Sequence, residues 1–96
     1  MKIYIAGPMT GLPDLNYPEF NRVAAILRGS GHEVFNPAEN PECDSWAGYM
    51  RISLKQVCDA GAIALLDGYM NSKGARLEVL VACELGMQCL PWGEFV

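Results

Sequence analysis

The sequence AGAIALL at Ala60–Leu66 is a nearly uninterrupted run of small apolar residues. A short, continuous apolar run is typical of a strand that is buried on both faces, as in the middle of a parallel sheet. Three further short runs have strand character and end just before Gly or Pro: Lys2–Ala6, His32–Asn36 and Gln88–Leu90. The chain therefore has four predicted strands, and Ala60–Leu66 is expected to be a central one.

The segments between these strands carry apolar residues at helical spacing. The first helix is predicted to begin at Pro18, because proline fits the first turn of a helix, and to end at Gly29-Ser30-Gly31. The second helix is predicted at Trp46–Cys58 and the third at Gly74–Leu85. The expected inward-facing residues are Phe20, Val23, Ala24 and Leu27 on the first helix, Tyr49, Met50, Ser53, Leu54 and Val57 on the second, and Leu77, Val81 and Leu85 on the third.

The alternation of strands and helices predicts an α/β fold with a mainly parallel sheet of about four strands and helices on both faces. Ligands of such sheets bind outside the carboxyl ends of the strands, near the point where the strand order reverses. The loops at these ends are Ala6–Tyr17, Asn36–Trp46 and Leu66–Gly74. We therefore expect a ligand site to be built from these three loops.

Length and composition exclude several classes of protein. The 96 residues are expected to form one domain over residues 1–96, and a hydrophobic content of 51% is too high for a disordered chain. No apolar run approaches the roughly 18 to 20 residues that span a bilayer. The apolar run before Gly7-Pro8 is too short for a signal-peptide core, which predicts a cytoplasmic protein. The net charge of −4 argues against binding to a nucleic-acid polymer, although a small anion can still bind backbone N–H groups.

The cysteines indicate neither a zinc site nor a disulfide framework. Cys43, Cys58, Cys83 and Cys89 form no CxxC pair, and only His32 could complete a set of metal ligands. Without an export signal, we expect reduced thiols, two or three of which pack as small apolar residues.

The third loop leads into the third helix through Ser72, Lys73, Gly74 and Ala75. Ser72 lies where the N-cap of that helix is expected, and the small residues after it leave the first N–H groups accessible. These N–H groups and the positive end of the helix dipole can bind an anion. An ordinary serine cap explains the same residues equally well.

Glu78 lies about a turn and a half into the third helix. An ionised carboxylate at this end of the sheet can attack an anomeric carbon and form a covalent glycosyl intermediate. Spacing alone favours the alternative, in which Glu78 is a solvated residue that pairs with Lys73 or Arg76. Glu84 lies on the same helix, near the C-terminus, where the dipole disfavours a carboxylate.

The other candidate residues have ordinary structural explanations as well. The first loop, Ala6–Gly11, lacks the spacing of known phosphate loops, although Gly7 and Gly11 would let the backbone approach a flat ligand. Asp67 could hold a ribose hydroxyl, but capping of the next turn is favoured. Three aromatic residues belong either to the core or to a base-stacking surface: Trp46, Tyr49 and Tyr69.

Several stretches resemble a small protein family that is common in phages and bacteria. These stretches are Ile3–Gly11, Tyr17–Asn21, Gly31–Val34, Asn36–Glu39, Ser72–Glu78 and Leu85-Gly86. The family is a domain of unknown function that is described as similar to nucleoside 2-deoxyribosyltransferases. The resemblance covers nearly the whole chain and implies a flavodoxin/Rossmann-like three-layer sandwich that binds a nucleoside or nucleotide.

The resemblance also implies roles for individual residues. In the deoxyribosyltransferases and the related deoxynucleoside monophosphate glycosidases, a glutamate on the last helix attacks the deoxyribose anomeric carbon, and Glu78 matches it. Ser72 matches a serine that helps to bind the 5′-phosphate in the glycosidases. With the loop residues discussed above, the predicted substrate-binding set is Ala6, Gly7, Pro8, Met9, Gly11, Tyr17, Asp67, Ser72, Gly74 and Ala75.

The same resemblance implies that the chain needs no metal and no organic cofactor. It also implies a site at a dimer interface. Since a chain of this length builds only a small core, self-association is expected on physical grounds too. The predicted partners are therefore a nucleoside or nucleotide and a second copy of the chain, as a homodimer or higher homo-oligomer, without a nucleic-acid polymer or a membrane.

One departure from the family pattern concerns a second acid. The transferases carry an aspartate on the preceding helix, and Ser53 occupies the matching position here. A serine is a poor substitute for an acid that exchanges a proton with the base.

The predicted function is an enzyme that acts on N-glycosidic bonds, as a deoxyribosyltransferase or a nucleotide N-glycosidase, through a covalent glutamyl-deoxyribose intermediate. The alternative is a nucleotide-binding module without catalysis, such as a phage accessory protein that sequesters or senses a nucleotide. A structural protein on this fold is a third reading.

Overall fold

The computed structural model describes all residues from Met1 to Val96 and contains four strands and three α-helices. The strands are β1 Lys2–Ala6, β2 Glu33–Phe35, β3 Ala62–Leu65 and β4 Gln88–Pro91. The helices are α1 Tyr17–Gly29, α2 Trp46–Asp59 and α3 Lys73–Glu84. Each of these elements was predicted from the sequence. No helix combines the length and the apolar character that a membrane span requires.

All four strands run parallel, in the order β2-β1-β3-β4. The register places Tyr4 opposite Ile63 and Ala6 opposite Leu65. The predicted α/β fold with a parallel sheet is therefore confirmed, and β3 is central as expected. The chain passes from β1 to β2 on one side of β1, whereas β3 and β4 lie on the other side. The strand order therefore reverses between β1 and β3. Ligands of parallel sheets bind at the carboxyl ends of such a strand pair.

Two apolar clusters form the core, one on each face of the sheet. Alternate residues of a strand point to opposite faces, so β1 contributes to both clusters. The cluster under α1 consists of Ile3, Ile5, Phe20, Val23, Ala24, Leu27, Ala64 and Leu66. The cluster under α2 and α3 consists of Tyr4, Ala6, Val57, Ile63, Leu65, Ala75 and Ala82. The predicted inward face of α1 is confirmed in full, since all four of its residues are buried.

The C-terminal segment completes the face that α1 covers. A short 3-10 turn at Trp92–Phe95 packs Trp92 and Phe95 against the first cluster. The Arg22 guanidinium lies 5.3 Å from the centre of the Trp92 ring, a cation–π distance. His32 Nε2 lies 2.8 Å from the Phe95 carbonyl oxygen. This segment therefore takes the place of a second helix on that face.

The inward face of α3 differs from the predicted one. Its buried residues are Ala75, Glu78 and Ala82, whereas Leu77 and Val81 are half-buried and Leu85 is 58% exposed. Small side chains on the inward face let α3 lie close to the sheet and to α2, and the larger residues are left at its flanks. The apolar spacing of the leucines and Val81 was therefore a misleading guide to this helix.

The cysteine prediction is only partly confirmed. All four thiols are free, but Cys58 and Cys83 are exposed and Cys43 and Cys89 are half-buried. The expectation that two or three of them pack as small apolar residues is wrong in number, because only Cys89 packs against the second core cluster.

Gly7, directly after β1, packs closely against Leu66, directly after β3. A Cβ atom at Gly7 would lie 2.7 Å from Leu66 Cδ1 and 2.8 Å from Leu66 Cβ. We expect Gly7→Ala to lower the free energy of unfolding by about 1 to 3 kcal/mol, because an overpacked site must shift its neighbours. Equilibrium urea unfolding measures this change.

Gly29→Ala is the matched control. A Cβ atom at Gly29 would meet nothing within 4 Å, and the residue ends α1. We expect this change to leave stability equal or higher, by up to about 1 kcal/mol, since alanine is the better helix former. Equal effects of the two substitutions would contradict the close packing of Gly7 on Leu66.

Candidate active site

A cavity of about 910 Å³ opens at the carboxyl ends of β1 and β3, where the strand order reverses. The three predicted loops meet around it. The first loop contributes Gly7, Pro8, Met9, Thr10, Leu12, Leu15 and Tyr17; the second contributes Pro37, Asn40, Pro41, Glu42, Cys43 and Trp46; and the third contributes Asp67, Gly68, Asn71, Ser72, Lys73 and Gly74. The remaining lining residues come from β1, α1, α2 and α3.

Glu78 lies in this cavity with 4% of its surface exposed. The Tyr4 hydroxyl donates a hydrogen bond of 2.6 Å to Glu78 Oε2. Burial raises the pKa of Glu78 from its ordinary value near 4.5 to about 7, and the hydroxyls of Tyr4 and Ser53 counteract part of that rise. The carboxyl group therefore titrates close to neutral pH.

The expectation from spacing that Glu78 is solvated and paired with a cation is wrong. Lys73 Nζ lies 4.1 Å from the centre of the Trp46 ring, and Arg76 Nη1 donates to the Met70 carbonyl oxygen at 2.8 Å. Both cations are thus engaged elsewhere. Glu78 belongs to the inward face of α3, which the sequence pattern had assigned to larger apolar residues.

Tyr4 is the residue of this site that sequence reasoning missed. It is fully buried in the middle of β1. Burial, and then the neighbouring Glu78 carboxylate, raise the pKa of Tyr4 well above its usual value, so its hydroxyl remains a donor. A tyrosine in a strand that is buried on both faces needs a hydrogen-bond partner for its hydroxyl. This requirement could have indicated from the sequence that Tyr4 contacts a buried polar group.

Ser53 lies on the buried face of α2 and is fully inaccessible. Its hydroxyl donates to the Met50 carbonyl oxygen at 3.3 Å. Of the carboxylates that line the cavity, Glu42 and Asp67 are exposed and only Glu78 is buried. Glu78 therefore has no second buried acid beside it among the residues that line the cavity, and Ser53 itself is not one of those residues.

The N-terminus of α3 forms one wall of the cavity. Ser72 Oγ accepts a hydrogen bond of 3.1 Å from the Ala75 N–H, so the capping interpretation of Ser72 is confirmed. A Cβ atom at Gly74 would lie 3.2 Å from Met50 Sδ, so this glycine lets α3 approach α2 closely. The first N–H groups of a helix have no partner within the helix and favour an anion nearby.

Aromatic side chains form another part of the wall. Trp46 is 47% exposed and lines the cavity together with Tyr17 and Tyr49. The Tyr49 hydroxyl lies 3.6 Å from Met9 Sδ, and burial, followed by the Glu78 charge, raises the pKa of Tyr49. Tyr69 instead packs against the second core cluster. Of the three aromatic residues in question, Trp46 and Tyr49 can therefore contact a flat ligand.

Two of the predicted substrate-binding residues do not line the cavity. Ala6 is buried in the second core cluster, and Gly11 lies in an exposed turn with φ 84°. The other predicted residues, Gly7, Pro8, Met9, Tyr17, Asp67, Ser72, Gly74 and Ala75, do line it. Asp67 makes no side-chain hydrogen bond within the chain, so its expected capping role is not seen.

The first loop reaches over the cavity through an unusual backbone turn. Asp14, Leu15 and Asn16 are all left-handed, with φ of 52°, 54° and 60°. Asn16 does not cap α1 with its side chain; its Nδ2 donates to the Pro8 carbonyl oxygen at 3.0 Å. This bond joins the two ends of the loop and offsets part of the cost of a left-handed leucine.

Residues 1–90 match a protein family described as a domain of unknown function, DUF4406. The chain belongs to this family. No curated protein sequence matches this DUF4406 chain.

The DUF4406 chain is similar in structure to two solved 2-deoxyribosyltransferases. For the enzyme from the psychrotolerant bacterium Bacillus psychrosaccharolyticus, the TM-score is 0.73 and the identity is 26%, over 93% of this chain and 69% of that one. For the enzyme from Leishmania mexicana, the TM-score is 0.75 and the identity is 23%, over 94% of this chain and 62% of that one. The fold of the DUF4406 chain is therefore deoxyribosyltransferase-like, and it spans less than two thirds of the second structure.

In this DUF4406 chain the Glu78 carboxyl group is placed so that it can act as a nucleophile. Near neutral pH a substantial part of the Glu78 population is ionised, and a partly desolvated carboxylate is a better nucleophile than one in water. The hydrogen bond from Tyr4 occupies Oε2 and leaves Oε1 for a ligand. The cavity volume lies within the range of small-molecule sites.

Proposed function

We propose that this chain is an enzyme that cleaves the N-glycosidic bond of 2′-deoxyribonucleosides or their 5′-monophosphates, as an N-glycosidase or a deoxyribosyltransferase. The observation that carries the proposal is the buried Glu78 carboxylate at the carboxyl ends of β1 and β3, with one oxygen held by Tyr4 at 2.6 Å. Carboxyl groups in clefts whose pKa is strongly shifted by burial are typical of active sites.

The proposed reaction has two steps. In the first, Glu78 Oε1 attacks C1′ of the deoxyribose, the bond between C1′ and the base nitrogen breaks, and its electron pair leaves with the base. The base takes up a proton from water, since Ser53 is no acid. In the second step, water or the nitrogen of another base attacks C1′, the bond between C1′ and Glu78 Oε1 breaks, the Glu78 carboxylate is released, and the attacking group gives its proton to solvent. Water gives hydrolysis, and a second base gives transfer.

The surrounding residues have binding roles in this proposal. Trp46 and Tyr49 offer aromatic faces for the base. The first N–H groups of α3, beside Ser72 and Gly74, donate hydrogen bonds to the 5′-hydroxyl or 5′-phosphate.

A second candidate function is nucleotide binding without turnover. It is favoured by one specific observation, the neutral hydroxyl of Ser53 at the depth where the transferases carry an aspartate. Such a chain would keep the cavity and its aromatic wall and would sequester or sense a nucleotide.

The experiment that separates these functions is a product assay on the purified chain. Purine and pyrimidine 2′-deoxynucleosides and their 5′-monophosphates are incubated with and without an acceptor base, and the products are resolved by liquid chromatography. Base release without an acceptor indicates a glycosidase, and exchange that requires the acceptor indicates a transferase. Calorimetric binding without any release supports the binding module. Absence of both binding and release would refute the assignment to nucleosides.

We also propose that the chain works as a homodimer or higher homo-oligomer. The cavity is open, and two leucines at its rim, Leu12 and Leu15, are 40% and 47% exposed. A second copy could cover this rim. Analytical ultracentrifugation at micromolar concentration tests the proposal, and a monomer at all concentrations would contradict it.

Tyr4→Phe is expected to move the pH profile of activity. The Tyr4 hydroxyl lowers the pKa of Glu78, which burial raises to about 7, so its removal raises that pKa further. Since activity requires the ionised form, the acid limb of the kcat/KM profile should move to higher pH, by up to about one unit. Activity at pH 6 should then fall by up to about tenfold.

Tyr69→Phe is the control for this substitution. Tyr69 is half-buried and packs against the second core cluster, outside the cavity. Its pH profile should equal that of the wild-type chain. An acid limb that stays in place in Tyr4→Phe would mean that the Tyr4 hydrogen bond does not stabilise the Glu78 anion.

A further inference from the structure

Two thiols outside the cavity lie close together. Cys83 Sγ is 3.9 Å from Cys89 Sγ. Cys83 is exposed in the last turn of α3, and Cys89 is half-buried in β4. The proposed glycosidic reaction uses neither residue.

The backbone holds this pair in place. After α3, the Gly86 N–H donates to the Cys83 carbonyl oxygen at 3.0 Å, and the Met87 N–H donates to the Ala82 carbonyl oxygen at 2.9 Å. With Gly86 at φ 75°, this is a Schellman motif, which returns the chain sharply from the helix end. Cys89 is then fixed by the pairing of β4 with Ile63 of β3. The two sulfur atoms must move from 3.9 Å to about 2.05 Å to form a disulfide.

We propose that Cys83 and Cys89 form a reversible redox site that reacts with peroxides. The Cys83 thiol first loses its proton to solvent, its sulfur attacks one oxygen of hydrogen peroxide, and the O–O bond breaks. Cys83 becomes a sulfenic acid, and the released hydroxide takes up a proton from solvent and leaves as the first water. Cys89 Sγ then attacks the Cys83 sulfur, the S–O bond breaks, and a second water leaves. Two thiols are thereby oxidised to one disulfide, and one hydrogen peroxide is reduced to two waters.

The surroundings of the two thiols assign them different roles. Burial, and then the proximity of Cys83, raise the pKa of Cys89 to about 11, so Cys89 remains a thiol at neutral pH. Cys83 is open to solvent and therefore meets the oxidant first, while Cys89 waits beside it as the resolving thiol. Cys43 and Cys58 have no second cysteine sulfur beside them, so in the wild-type chain they show how an unpaired thiol reacts.

The disulfide would tie the end of α3 to β4. The same helix carries Glu78, so the redox state of the pair would change how readily this helix end opens locally. Reduction by a small thiol would restore the open form, as expected for a regulatory rather than a structural disulfide.

The test uses the double variant Cys43→Ser/Cys58→Ser, which retains only the pair. The variant is treated with hydrogen peroxide, remaining thiols are blocked with N-ethylmaleimide, and the chain is analysed by intact mass and by peptide mapping. We expect a chain that is not covalently linked to a second one, has lost the mass of two hydrogens, takes up no N-ethylmaleimide, and yields a linked Cys83–Cys89 peptide. Dithiothreitol should restore two blocked thiols. The wild-type chain should give the same linked peptide.

The triple variant Cys43→Ser/Cys58→Ser/Cys89→Ser tests the order of events. Without the resolving thiol, Cys83 should accumulate as a sulfenic acid that dimedone traps. Hydrogen exchange of residues 83–88 in the oxidised double variant should slow at least about tenfold, since the link suppresses local opening. Three results would overturn the proposal: both thiols still open to N-ethylmaleimide after peroxide, oxidation to sulfinic acids without a link, or links formed only between chains.

Discussion

Glu78→Gln is expected to reduce base release from deoxynucleosides by at least about 10³-fold, because an amide cannot form the covalent bond to C1′. The glutamine oxygen can still accept the hydrogen bond that Tyr4 donates to Glu78 Oε2 at 2.6 Å. The cavity should therefore keep its shape, and nucleotide affinity should change by no more than a few fold. Steady-state product formation, with calorimetric binding on the same samples, measures both quantities.

Glu84→Gln is the matched control for this loss of activity. Glu84 ends the same helix but is exposed and lies outside the cavity. Its replacement should leave base release unchanged. If Glu78→Gln kept more than about a tenth of the wild-type rate, a loss of only about 1.4 kcal/mol of transition-state stabilisation, Glu78 would not be the nucleophile.

The second large effect is on stability as a function of pH. Folding raises the pKa of Glu78 from near 4.5 to about 7 because of burial. The folded state thus favours the protonated group. Its contribution to stability is fully present below pH 4.5 and is lost as the pH rises through about 7, since the ionised group must then be held in a buried place. The loss should be about 3 kcal/mol, from about 1.4 kcal/mol for each unit of pKa difference.

Urea unfolding of the wild-type chain and of Glu78→Gln at pH 5 and pH 8 measures this effect. The variant should be more stable than the wild-type chain at pH 8, by an amount that largely vanishes at pH 5. Other carboxyl groups change in the opposite direction: the Arg22 and Arg28 guanidinium groups lower the pKa values of Glu19 and Glu39. These groups are the same in both chains, so they cancel in the comparison. A difference that is equal at both pH values would show that Glu78 ionises as freely as in water.

The two predictions describe one property of the site. The residue that would carry out the chemistry is also one that destabilises the fold at neutral and alkaline pH. Such a conflict is common where a group is held in an environment that suits its reactivity rather than its hydration. A single substitution at Glu78 should therefore raise stability and remove activity together.

Much of the site's location could be predicted from the sequence. The strand–helix alternation identified the sheet, and the rule for the carboxyl ends of parallel strands identified the three loops that do surround the cavity. Ser72 was recognised as a helix cap from its place before Gly74 and Ala75, and the hydrogen bond to the Ala75 N–H is present. These features depend on residues that are close in the chain.

The environment of each side chain could not be predicted in this way. The spacing of apolar residues favoured a solvated Glu78, because it placed the leucines of α3 against the sheet. In the structure Ala75 and Ala82 lie on the buried face instead, together with Glu78. The left-handed turn through Leu15 has no local sequence signal, since leucine disfavours that conformation. The bond from Asn16 to Pro8 and the backbone bond from the Leu15 N–H to the Leu12 carbonyl oxygen help to hold it.

The sequence by itself determined the α/β fold, the order of its elements and the edge of the sheet where a ligand site lies, because apolar periodicity, Gly and Pro act over a few residues. Only the tertiary structure decided that Glu78 is buried against Tyr4, 74 positions away, and that Cys83 lies 3.9 Å from Cys89. The pKa of a carboxyl group and the partner of a thiol depend on which faces meet in space, and that meeting is a property of the packed core rather than of any local stretch.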